Sequence, residues 1–130
     1  MDKDTQLLRQ VHPSFVQANV ISSQVFTSQV FKPTPKDENK LSVYNEEKFS
    51  PQESLEHFIE TPSNQSVGVV SVTVSECETE NLQAYEDNNP FDGHCVIDYS
   101  EHSNSVIEKK AKKLKSIAML RGWLYKTEKT

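Results

Sequence analysis

Glycine is scarce in this chain, with three in 130 residues. A backbone cradle for phosphate needs glycines at fixed spacing, so neither a P-loop nor a dinucleotide fingerprint can be written onto it. Cysteine is almost as rare. Cys77 and Cys95 form no C-x-x-C and no disulfide framework, so two buried free thiols are expected. Long apolar runs are missing, and nothing approaches the ~20 residues that cross a bilayer. Met1-Asp2-Lys3-Asp4 lacks the basic and apolar regions of a signal peptide. Metal motifs are missing too, and His12, His57, His94 and His102 lie scattered. The expectation is a cytoplasmic protein with no membrane contact, no metal and no cofactor.

Basic residues are few in the body of the chain and crowd its end. Residues 1–104 hold 6 Lys and Arg against 17 Asp and Glu, whereas residues 105–130 hold 8 against 2. The net charge is -5. An acidic body with a basic last segment either offers that segment to a polyanion or neutralises itself. Hydrophobic residues make up 35%. That is low, but a chain of this length still builds one core, so a single domain over 1–130 is expected, with 1–4 and 126–130 frayed.

Local patterns predict an α+β fold. A small mixed or antiparallel sheet should pack against a long C-terminal helix and a short central one. Leu7, Leu8, Val11 and Phe15 form an apolar cluster that fits either a short strand or a turn ending at Pro13. Asn19 to Phe31 is rich in β-branched and aromatic residues and reads as strand. Lys32 to Lys40, with two prolines, reads as loop, and Leu41 to Tyr44 as a short strand. Ser50-Pro51-Gln52-Glu53 is a capping box with proline in the first turn, followed by the stripe Leu55, Phe58, Ile59. Val67 to Val74 is the strongest strand. Ser75 to Asn81 reads as a short acidic helix capped by Ser75, Tyr85 to Gly93 as a polar loop, and His94 to Tyr99 as a second strand. That strand and Val67–Val74 should pair in one sheet under the last helix. A helix from Ser103 or Ser105 to Arg121 carries Ile107, Ala111, Leu114, Ile117 and Ala118 on one stripe and stops at Gly122. Trp123 to Tyr125 then alternates as a tail able to return to the sheet.

Ser-Gln-Val-Phe occurs twice, ending at Phe26 and at Phe31. A period of five puts the two phenylalanines on opposite faces of a strand, or about 140° apart on a helix. Neither geometry lays the copies on one surface, so at most one copy is expected to hold a demanding structural position.

The run Ser28 to Tyr44, "SQVFKPTPKDENKLSVY", resembles one found in small uncharacterised bacterial proteins. The likeness extends to Leu8–Phe15, Val96–Tyr99, Ala111–Leu114 and Arg121–Tyr125. It implies a bacterial, single-domain protein and carries no mechanism. In it the second copy joins the Pro-rich loop, so Gln24-Val25-Phe26 looks like the added one.

Candidate chemistry is thin. Arg9 and His12, with Ser42 on a later strand, resemble the pocket of ADP-ribosyltransferase-like folds. There basic and hydroxyl groups on neighbouring strands hold a dinucleotide and a late Glu does chemistry; that Glu has no assigned position here. Lys36, Asp37 and Lys40 flank the prolines of a stiff loop, a good carrier of binding residues. Lys109, Lys112 and Lys113, with Lys110 and Lys115, form a basic helix face suited to phosphates but without interleaved aromatics. His94 and Asp98 lie ~13 Å apart along a strand and cannot share a metal, and His94 and Cys95 face opposite ways. With no coherent catalytic constellation, the first expectation is a non-enzymatic accessory protein of a bacterial operon that binds a protein encoded nearby. A small nucleotide- or protein-modifying enzyme around Arg9, His12 and Ser42 comes second. Nucleic-acid binding through the last helix comes third.

Overall fold

The computed structural model describes residues 1–16 and 26–127. Six strands form one antiparallel sheet: β1 Gln6–Gln10, β2 Lys40–Asn45, β3 Gly68–Thr73, β4 Gln83–Glu86, β5 His94–Asp98 and β6 Tyr125–Lys126, in the order β4-β5-β2-β1-β3-β6. Among the described residues three α-helices accompany it: α1 Pro51–Ile59, α2 Val74–Thr79 and α3 Asn104–Arg121. The α+β class expected from the sequence is the architecture observed.

The two strongest predicted strands lie in one sheet but do not pair. β2 and β1 stand between β5 and β3. One sheet face carries Leu7, Val43, Val70, Val72 and Ile97, and α3 seals it with Ile107, Ala111, Leu114 and Ala118. On the other face Leu8, Tyr44 and Val69 pack under Leu55 of α1. α1 starts as its sequence dictates. Ser50 Oγ accepts the Glu53 N–H at 3.1 Å, and Glu53 accepts the Ser50 N–H at 2.9 Å. Cys77 and Cys95 are buried free thiols, and burial pushes both up to about 12.

Several expectations are corrected. Ser28–Phe31 is a 3-10 turn capped by Thr27, not a strand, and it packs beneath α3. Because the chain turns there, Phe26 and Phe31 enter the same core. Both ends of the doubled motif therefore hold structural positions; the rest of the first copy, like most of Asn19–Phe26, lies outside the described residues. α2 begins one residue early, under a Thr73–Glu76 capping box rather than under Ser75. Gln83–Glu86, read partly as loop, is an edge strand. At the ends of the chain, the Met1 amino group is 3.6 Å from Glu86 and the Lys3 carbonyl accepts the Ser75 N–H at 2.9 Å, while 128–130 lie outside the described residues. Lys126 is held in β6 opposite Gly68. The tail does return to the sheet. Trp123 lies so close over Gly68 that a Cβ there would sit 2.6 Å from its ring.

Candidate functional site

β1 and β2 part company early. They are in register only at Leu7↔Asn45 and Leu8↔Tyr44. Beyond Leu8, β1 stays with β3 through Gln10↔Val69, while β2 follows β5 from Tyr44↔His94 to Lys40↔Asp98. Arg9 fills the resulting split. Its Nε donates to the Val30 carbonyl at 2.7 Å and its Nη1 to the Ser42 carbonyl at 3.1 Å. The guanidinium thus replaces the strand partner that Ser42 has lost. Among the described residues no carboxylate comes within ion-pair distance of it. Burial pushes it down to about 10, with Tyr99 and Asp37 only partly offsetting that, so it stays a cation at neutral pH.

The split opens into a cleft of about 460 Å³ on the α1 side of the sheet. Leu8, Arg9, Ser42 and Tyr44 form its floor, His57 and Phe58 of α1 one wall, and Pro90, Phe91 and His94 the other. The walls are aromatic. Phe91 lies 4.4 Å from His57, 5.2 Å from Tyr44 and 5.4 Å from His94 by ring centroids. Tyr44 Oη and His57 Nδ1 are 2.9 Å apart, and burial pushes the Tyr44 phenol up to about 12. A charged group at one end and flat apolar walls at the other suit a small organic anion.

Ser42 and His94 meet here. The register Ser42↔Val96 and Tyr44↔His94 makes them diagonal neighbours on one sheet face. Ser42 Oγ is 3.1 Å from His94 Nε2, and His94 Nδ1 is 2.8 Å from the Asp87 carbonyl.

No protein-family model matches the chain, and no curated protein or solved structure matches it at a significant level. The site therefore stands on its own geometry.

Of the residues singled out from sequence, the structure brings Arg9 and Ser42 together. His12 lies apart, its Nδ1 accepting the Ser14 N–H at 3.0 Å in a 3-10 turn beside a smaller cavity of about 100 Å³. Asp37 accepts from Thr34 Oγ1 at 3.0 Å and Lys40 pairs with Glu38 at 3.4 Å; with exposed Lys36 they stay outside the cleft. Lys109, Lys112 and Lys113 are exposed on the outer side of α3. Asp98 turns to Tyr85 Oη at 2.9 Å, away from His94. Among the described residues no group of His, Cys, Asp or Glu is placed to hold a metal. Sequence reasoning missed His57, Phe91 and the Ser42–His94 contact. A guessed antiparallel register between 40–45 and 94–98 was the signal that would have found the last.

Proposed function

We propose that the protein binds a small organic anion in this cleft, with the charged group on Arg9 and a flat ring against Phe91, His57 and Tyr44. The observation that carries this is Arg9, a half-buried cation whose Nε and Nη1 go to backbone carbonyls and which, among the described residues, no carboxylate approaches within ion-pair distance. A partly desolvated charge without a counter-charge is costly, so an anion that pairs with it gains more than at a fully exposed arginine. The reading keeps the Arg9–Ser42 pocket of the nucleotide-enzyme alternative and drops His12 from it. Titrating the protein with benzoate, AMP and inorganic phosphate tests it. A ring-bearing anion should raise the melting temperature and shift the NMR signals of His57, Phe91 and His94. Ligand at 100 times its Kd stabilises by about 2.7 kcal/mol. Arg9→Lys keeps the charge, loses the planar fork, and should weaken binding at least about tenfold. If neither ring-bearing anion moves those signals, the reading is wrong.

A second reading is an accessory role in a bacterial operon toward an acidic protein partner. It has its own support: Leu120 is 91% exposed on the same α3 face as Lys109, Lys112 and Lys113, at helical spacings of seven, eight and eleven residues. A partner with acidic groups around one apolar pocket fits that face.

A further inference from the structure

Ser42 sits in the middle of β2 with its side chain exposed to the cleft. A lone strand serine is inert, because a hydroxyl is a weak nucleophile until a base takes its proton. His94 is placed to be that base, and its tautomer is fixed by its other nitrogen. Nδ1 stands 2.8 Å from the Asp87 carbonyl, which only accepts, so Nδ1 carries the hydrogen. In the neutral ring Nε2 then offers its lone pair to the Ser42 hydroxyl at 3.1 Å. His94 is 8% exposed, packed edge-on against Phe91, so its ring is held in place. The result is a nucleophile and a base lining one cleft, with a backbone carbonyl behind them that orients the base.

We propose that Ser42 is the nucleophile of an acyl-transfer reaction, with His94 as general base and the Asp87 carbonyl as its positioning group. The substrate class is an ester of a ring alcohol that also carries a carboxylate. This rests on the anion reading of the cleft. Arg9 takes the carboxylate, the ring lies on Phe91 and His57, and the ester carbonyl reaches Ser42. As Ser42 Oγ bonds the carbonyl carbon, its proton passes to His94 Nε2. A tetrahedral intermediate forms, with the negative charge on the former carbonyl oxygen. It collapses, the carbon–oxygen bond to the ring alcohol breaks, and the proton on His94 caps the leaving oxygen. Water then gives a proton to His94 and its oxygen to the acyl carbon, and Ser42 departs with the proton. Ester and water become acid and alcohol, with no change of oxidation state.

The test uses the full chain and 3-acetoxybenzoate, with phenyl acetate as the ester that lacks the carboxylate and 3-hydroxybenzoate as the ligand that cannot react. The wild type should hydrolyse 3-acetoxybenzoate above the buffer rate and faster than phenyl acetate. Rapid quenching should trap an acetyl group on the peptide containing Ser42. Ser42→Ala, which removes one exposed oxygen and should keep the melting temperature, should fall to the buffer rate. His94→Gln should lose about 10²–10⁴-fold, the usual share of a general base. Binding of 3-hydroxybenzoate without hydrolysis of 3-acetoxybenzoate would overturn the relay and leave the anion site standing. Absence of both overturns both. Hydrolysis that survives Ser42→Ala overturns the assignment of the nucleophile.

Discussion

The Glu76 carboxylate accepts Arg121 Nη1 at 2.9 Å and Nη2 at 2.6 Å, and its Oε1 also accepts the Thr73 N–H at 2.7 Å. One side chain thus closes the capping box of α2 and anchors the last turn of α3. Burial pushes its carboxyl up, but the hydrogen bonds and charge of Arg121 and the bonds to Thr73 outweigh that and hold it below the ordinary range. A lowered folded pKa means stability that is present above the unfolded value, about 4.3 for Glu, and lost as pH falls through the folded one. Glu76→Gln should therefore cost roughly 1–2 kcal/mol at neutral pH, between an exposed and a buried pair. The gap to wild type in urea unfolding should narrow from pH 6 to pH 3; a gap that stays constant would deny the ion pair. The two capping boxes differ in legibility. Ser50-Pro51-Gln52-Glu53 announces itself, because proline marks the first turn. Thr73-Val74-Ser75-Glu76 hides at the end of a valine-rich strand, where Ser75 is an equally good candidate on sequence alone.

Elements with a strong period were the readable ones. The apolar stripe of α3 was assigned from its 3.6-residue spacing, and the structure buries Ile107, Ala111, Leu114 and Ala118 while leaving Ile117 half-buried. Leu114 is fully buried between the sheet and the rest of α3. Leu114→Ala should cost ~2–5 kcal/mol through lost burial and a residual cavity. An unchanged denaturant midpoint would mean that α3 is not docked. Elements whose character comes from tertiary packing were misread. Ser28–Phe31 has strand-like residues, yet Val30 and Phe31 are buried by a tight turn under α3. Gln83–Glu86 shows no alternation strong enough to mark an edge strand, and only its ladder with β5 defines it. The cleft was half legible for the same reason. Arg9 and Ser42 stood out as residue types, but His94 joins them through a register between strands some fifty residues apart, which no local pattern encodes.

At the scale of the whole molecule, charge decides which partners are compatible. Lys109, Lys112 and Lys113 lie along the outer face of α3, and among the described residues none of them is in an ion pair. Lys110 is spent differently, donating to the Glu80 carbonyl. A stripe of three free cations would attract duplex nucleic acid if it stood alone. It does not: residues 1–104 carry 17 acidic side chains against 6 basic ones, and Glu108 sits on α3 itself, paired with Lys32 at 3.0 Å. A duplex is large compared with this domain, so it meets that negative field as well as the stripe, although screening limits the repulsion to about 8 Å at physiological salt. The stripe also ends in exposed Leu120, which a phosphate backbone leaves unsatisfied. The expected outcome is no measurable binding of generic duplex DNA or RNA at physiological salt in an anisotropy titration. If binding appears, it should fall with salt at a log–log slope of about -0.9 per phosphate neutralised. Micromolar binding that vanishes when Lys109, Lys112 and Lys113 become Gln would put nucleic acid ahead of an acidic protein as the occupant of this face. Leu120→Ala, which leaves the charge unchanged, should not alter any such duplex binding, because phosphate contacts are made by the lysines.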